Sequence, residues 1–258
     1  MLAPKIKMTF LGSGSAFTVG TDNYQSNILL DDGQGNTLLI DCGPDVRFSL
    51  HDLNLSYQDI NHVYISHLHA DHIGGLEWFG LNKFFDPTCS RPKMFISEKL
   101  VDDLWNHSLS GGMRTLQNKK VSLEVFFDVN KVLKVNKFSW AGYDFELVPV
   151  LHIEYDEEIM PCFGLMMKIN QHKIFFTSDC QYAPDRMLKY YEQADIIFHD
   201  CEILEKRTGV HAHFADLSKL PKKIKAKMWL YHYNPVSKPD YKSAGFLGFV
   251  KKHQVFEF

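Results

Sequence analysis

The stretch Val63–Phe79, "VYISHLHADHIGGLEWF", decides how the rest of the chain is read. It places His67, His69, Asp71 and His72 directly behind an apolar run and just ahead of Gly74 and Gly75. Residues two apart in an extended segment point the same way, so His67 and His69 can face one ion. Asp71 and His72 fall where the apolar spacing turns helical, so they can face a second ion beside the first. Imidazole nitrogen combined with carboxylate oxygen suits Zn²⁺, with Mn²⁺ or Fe²⁺ matched less selectively. The two glycines allow the following helix to approach the sheet closely.

Four groups cannot saturate two metals and still leave room for water, so further ligands must come from distant parts of the chain. Three residues share a telling position at the end of an apolar strand. His152 closes "FELVPVLH", Asp179 closes "KIFFTSD" and His232 closes "MWLYH". A carboxylate can bridge two cations about 3.5–4 Å apart, the spacing of two-metal hydrolysis. The expected assignment is His67, His69 and His152 on one ion and Asp71, His72 and His232 on the other, with Asp179 shared. Asp71 is also expected to orient the attacking hydroxide.

The bulk of the sequence bounds the reading further. The chain has 258 residues, 45% of them hydrophobic, and a formal net charge of −3. One α/β domain over residues 1–258 is the simplest organisation. The slightly negative charge argues against a polynucleotide as main partner, because phosphate backbones need a basic surface. Five cysteines without a CxxC fit reduced thiols. With no signal-like or membrane-spanning apolar run, the expected location is cytoplasmic.

Strands are expected within "YQSNILLDDGQGNTLLIDCG", in "HVYIS", on both sides of "AGYD" between Lys131 and His152, and on both sides of "NQHK". "DIIFHDC" reads as a further strand and "KMWLYHY" as the last one. Helices are expected over "DHIGGLEWFGLNKFF", "PDRMLKYYEQA" and "HFADLSKLPKKIKAKM", the last interrupted at Pro221.

The set "HLHADH", His152, Asp179 and His232, with "TFLGSGSAF" and "LLIDCG" as opening strands, resembles the metallo-β-lactamase superfamily along essentially the whole chain. The resemblance implies an αββα sandwich of α/β class with a dinuclear site along one edge of its two sheets. It does not name a substrate, since that superfamily hydrolyses lactams, thioesters, lactones and phosphodiesters.

Several segments narrow the choice. "LGSGSAF" resembles the glycine-rich turn of the RNase Z-like branch, where backbone N–H groups can seat a phosphate. That branch also carries a histidine acting on the phosphodiester leaving group, between the bridging aspartate and the last ligand. In "HDCEILEKRTGVHAHFADL", His211 aligns best with it and His213 competes, with Asp200 or Glu202 as the orienting acid. The long tRNA-gripping arm of the tRNA-processing enzymes has no counterpart here. The loop "EYDEEIMP" has the wrong sign for a polynucleotide channel, and the basic "KLPKKIKAKM" reads as a solvated helix face.

The pattern "TSDCQYAPD…YYEQADIIFHDCE…TGVHAHFADL…LPKKIKAKMWLYHY" is similar to the anti-Pycsar proteins. This implies hydrolysis of the 3′,5′-cyclic nucleotides cCMP and cUMP, with cAMP and cGMP as further candidates. It also implies a homodimer that counters cyclic-nucleotide antiviral signalling, in the host cytoplasm if a phage encodes it. The alternative within the same fold is an arm-less RNase Z-like endoribonuclease or another small phosphodiester hydrolase. A nucleobase needs an aromatic or apolar platform, for which Trp78, Phe79, Phe84, Phe85, Trp105, Tyr155 and Tyr182 all qualify by type.

Overall fold

Period-two alternation of apolar residues sends successive side chains of each strand to opposite faces. The inner strands of this chain are apolar on both faces, so each sheet must be covered twice. In the computed structural model, which describes residues 5–133 and 136–258, the cover is a second sheet on one side and helices on the other.

Among the described residues, two seven-stranded sheets are present, along with two short hairpins. The first sheet runs Val255–Glu257, Lys7–Gly12, Asn27–Asp31, Thr37–Ile40, His62–Ile65, Lys93–Ser97, Asp128–Val132. Its first four strands are antiparallel, and the remainder add in parallel. The second runs Gly248–Phe249, Met228–Tyr231, Ile196–Asp200, His172–Phe176, Phe163–Ile169, Tyr143–Pro149, Lys137–Trp140. Here too a hairpin half gives way to a parallel half.

The second sheet shows the alternation directly. Phe176, Phe198 and Tyr231 face the first sheet, where the Phe10 ring lies 5.0 Å from that of Phe198. Phe176 stacks on Tyr231 at the same separation, 5.0 Å. Their neighbours Phe175, Ile197 and Leu230 face outward and pack with Met187 and Tyr191 of the helix Pro184–Gln193. Each fully buried side chain of this size contributes about 1.5–3 kcal/mol. On the other outer face, Leu76 and Phe79 anchor the helix Leu76–Phe85. The order is helix, sheet, sheet, helix, the αββα sandwich expected.

The expected hairpins form, and Asp32 shapes the first turn by accepting from the Gln34 and Asn36 amides at 2.8 and 3.0 Å. Three expectations are corrected. The helix over residues 71–85 is two pieces, Ala70–Ile73 and Leu76–Phe85, because Gly74 and Gly75 end the first and cap the second. The helix over residues 213–228 is two single turns, Phe214–Leu217 and Lys222–Lys225, since Pro221 has an extended ψ of 142° and caps the second. Met228–Tyr231 is not the last strand, because Gly248–Phe249 and Val255–Glu257 follow it. Lys134 and Val135, inside one expected strand, and Met1 to Pro4 lie outside the described residues. Among the described residues no helix is long and apolar enough to cross a membrane.

Candidate metal centre

Parallel strands bring their C-terminal ends to one edge. Ile196–Asp200 and Met228–Tyr231 run parallel with His172–Phe176, so Asp179, Asp200 and His232 gather there. Tyr143–Pro149 runs in the same direction and delivers His152, while His62–Ile65 delivers His67 and His69 from the facing sheet. The chain bends sharply at this edge. Asp41, Ser178 and His232 all adopt left-handed backbone angles, with φ of 62°, 54° and 59°. Such angles in residues other than glycine cost about 1–3 kcal/mol each and cluster at functional sites.

Two groups of donors result. His67, His69, His152 and Asp179 form one, and Asp71, His72, Asp179 and His232 the other, with potential ligand atoms within 4.8 Å of one another. In the first, His69 Nδ1 lies 3.2 Å from His67 Nε2 and 3.1 Å from His152 Nε2. In the second, Asp71 Oδ2 is 3.2 Å from both His72 Nε2 and His232 Nε2, and both nitrogens are 3.3 Å from Asp179 Oδ2. Asp179 Oδ2 also faces the first group, 3.8 Å from His67 Nε2 and 3.9 Å from His152 Nε2. A single carboxylate oxygen thus looks into both groups.

The donor set fits a pair of cations. A tetrahedral ion with bonds of about 2.0–2.1 Å to nitrogen spaces its ligands about 3.3 Å apart, close to what the second group shows. Burial, reinforced by neighbouring imidazoles, pushes His67, His69 and His152 below the usual histidine range, which leaves their lone pairs available. Burial opposes charge on His72, yet Asp71, Asp179 and Asp41 outweigh it and hold that imidazole well above its ordinary value. The buried carboxylates therefore attract positive charge to this point. His72 Nε2 and Asp179 Oδ1 are buried without hydrogen-bond partners, an expensive state in a protein interior.

Beside the second group stands His211, whose Nδ1–H donates to Asp200 Oδ2 at 2.7 Å. The same oxygen accepts from the Cys180 amide at 2.9 Å, so Asp200 is fixed before it fixes the histidine. Asp179, Asp200, His211 and His232 offer potential ligand atoms within 4.8 Å of one another. Burial lowers the His211 pKa, but the Asp200 charge and hydrogen bond reverse this and raise it above the ordinary value. His213 is placed differently. Its Nδ1 accepts from the Ala215 amide at 3.2 Å, capping a helical turn, and its Nε2–H donates to Leu204 O at 3.0 Å. Glu202 holds the preceding loop through the Thr208 amide rather than orienting either histidine.

The whole-chain comparisons match this geometry. The family described as "Anti-Pycsar protein Apyc1" matches residues 6–256. The chain belongs to that family. It is 35% identical to the anti-Pycsar protein Apyc1 of Paenibacillus harenae over 225 residues, covering 86% of this chain and 88% of the relative. It is 33% identical over 240 residues to the Apyc1 protein of Bacillus phage vB_BsuM-Goe3, covering 88% of each. Among solved structures, the metallo-β-lactamase fold protein YhfI from Bacillus subtilis superposes with a TM-score of 0.73 at 17% identity, covering 98% of this chain and 100% of its own. The fold is that of the metallo-β-lactamases, and this member of the Apyc1 family is a metal-dependent hydrolase.

A further layer of residues orients the donors in this family member. Asp41 Oδ2 accepts from His72 Nδ1–H at 2.7 Å and from the Ser66 hydroxyl at 2.7 Å. Ser66 Oγ in turn accepts from His67 Nδ1–H at 3.0 Å, and Val210 O accepts from His152 Nδ1–H at 2.8 Å. Each of these bonds fixes the ring so that Nε2 faces the cluster, the usual arrangement around metal-ligating histidines. The glycine-rich turn serves the site as well, since Ser13 O accepts from the His232 amide at 2.8 Å. Asp41 was visible in the sequence only as part of "LLIDCG". The signal it offered was an acid closing an apolar strand, as in Asp179.

Proposed function

We propose that this protein hydrolyses 3′,5′-cyclic nucleotides, with cCMP and cUMP as the leading substrates and cAMP and cGMP as further ones, at a two-metal centre. The reading includes two Zn²⁺ ions, with Mn²⁺ as the alternative. One is held by His67, His69 and His152, the other by Asp71, His72 and His232, and Asp179 is shared. It also includes a homodimer, and a role against cyclic-nucleotide antiviral signalling in the cytoplasm.

The observation that carries the reading is the Asp200–His211 pair, with the His211 side chain partly exposed and ligand-type atoms within 4.8 Å of Asp179 and His232. Phosphodiester hydrolysis adds a hydroxyl to phosphorus and a proton to the departing oxygen, and a lactamase or thioesterase reaction has no alkoxide of this kind to protonate at that point. When bound, the cations supply Lewis acidity toward the phosphate oxygens and an acidified water.

The chain's own residues do the rest. Asp200 keeps His211 Nδ1 engaged, so the transferable proton sits on Nε2, and His211 delivers it to the ribose oxygen as the P–O bond breaks. Asp71 orients the attacking oxygen. The hairpin Glu154–Tyr155 with Glu158–Ile159 exposes Glu154, Asp156, Glu157 and Glu158, which repel a polynucleotide but leave a small cyclic phosphate unhindered.

Incubation with the four 3′,5′-cyclic nucleotides and, separately, with precursor tRNA tests this. Turnover of cyclic nucleotides that stops with chelator is expected. Cleavage of tRNA alone would overturn the substrate class in favour of an endoribonuclease.

A further inference from the structure

A cavity of about 350 Å³ opens beside His211, within the size range of small-molecule sites. Its walls include Gln181, Tyr182, Arg207, His211, Asp216 and Lys219. His211 borders both the donor cluster and this cavity, so a nucleotide whose scissile phosphate sits at Asp179 can lay its ribose and base along the His211 ring into the cavity.

The walls are built for such a guest. Tyr182 is partly buried against the outer core of the second sheet, which holds its ring in place. Phe79, by contrast, is wholly buried between the sheets, and Trp78 packs edge-on against Tyr57 at 6.3 Å. Gln181 is anchored by donating from Nε2 to His152 O at 2.7 Å. Arg207 comes from the loop that Glu202 clamps, where both carboxylate oxygens accept from the Thr208 amide at 3.0 and 3.1 Å. Asp216 pairs with Arg207 through Oδ2 and with Lys219 through Oδ1. One carboxylate faces two cations, so the cavity keeps an excess of positive charge and spare guanidinium donors.

We propose that this cavity is the base subsite, with Tyr182 as its stacking platform and Arg207 as the donor to base carbonyl oxygens. The inference rests on the phosphodiesterase reading above. Stacking accepts any base, whereas a guanidinium favours cytosine, uracil and guanine, which carry a carbonyl oxygen, over adenine, which carries none.

The test compares the holoenzyme's kcat/KM for 3′,5′-cyclic CMP, 3′,5′-cyclic AMP and ribose 3,5-cyclic phosphate lacking a base, followed by phosphorus NMR. The wild type should prefer cyclic CMP to the base-free compound by about tenfold or more, the scale of one stacked base. Tyr182→Ala should erase that preference while Tyr182→Phe preserves it. Arg207→Ala should remove the preference for cyclic CMP over cyclic AMP, and Arg207→Lys should restore it only in part, because lysine keeps the charge and loses the fork. Calorimetric binding of 5′-CMP should weaken about tenfold in Tyr182→Ala, a readout independent of turnover. Equal wild-type rates on cyclic CMP and the base-free compound, or a Tyr182→Ala variant that keeps the preference, sink the base subsite. A wild type inactive on all three compounds sinks the phosphodiesterase reading instead.

Discussion

His211 and His213 lie two positions apart and are the same residue type, yet their environments assign them opposite work. His211 spends one nitrogen on the buried Asp200 and keeps the other beside the donor cluster. Both His213 nitrogens are spent on backbone, at Ala215 and Leu204. His211→Ala should therefore keep its metal and lose turnover by about 10²- to 10⁴-fold, the usual contribution of a positioned acid. His213→Ala should cost about 1 kcal/mol of stability, the value of a helix cap, with a much smaller effect on rate. Asp179→Ala should lose metal outright. Elemental analysis beside steady-state rates separates the three, and metal loss in His211→Ala equal to that in Asp179→Ala would refute the division. In the sequence, proximity made His211 and His213 interchangeable. What separates them is the pairing of the Glu202 backbone with Ala212 and Phe214, which sets Asp200 beside His211 and not beside His213, a loop closure that residue type and spacing do not encode.

At the scale of elements, the legible part of the site was the part carried by strand ends. An apolar run followed by a ligand-type residue marks where a strand leaves the sheet, and His67, His152, Asp179 and His232 were all readable on that ground. Asp41 offers the same signal, but its orienting role was not legible, because its partners Ser66 and His72 belong to other elements. The break between Ala70–Ile73 and Leu76–Phe85 was also hidden, since apolar spacing continues through it. Its cause is a close crossing. A Cβ on Gly75 would sit 2.4 Å from Gly43 O, and one on Gly43 would sit 2.0 Å from Asp71 O. The glycines thus let the turn bearing Asp71 and His72 lie directly on the loop after Thr37–Ile40. Gly75→Ala should push that turn outward, cost about 1–3 kcal/mol in urea unfolding, and lower metal content through misplaced Asp71 and His72. An alanine variant of unchanged stability and metal content would show that the crossing is slack.

For the molecule as a whole, the two sheets and their shared core are the stable frame, and the metal edge is where stability is spent. Asp41, Asp71, Asp179 and Asp200 are all buried at that edge, beside converging imidazoles. Three left-handed residues add strain of about 1–3 kcal/mol each. Bound cations would offset the cost of the buried charge, since they would satisfy the orphaned His72 Nε2 and neutralise the carboxylates. Ligand binding to the folded state alone adds about 2.7 kcal/mol when the ligand is at a hundred times its dissociation constant. For a chain of this length, each kcal/mol moves the melting temperature by about 2–4 °C. Chelation should therefore lower the melting temperature by about 5–10 °C, and excess Zn²⁺ or Mn²⁺ should restore it. The loss should be absent in Asp179→Ala, which starts without metal. A protein that melts at the same temperature with and without chelator, while elemental analysis shows the metal gone, would mean that this edge is stable by itself and that its buried charges are compensated in some other way.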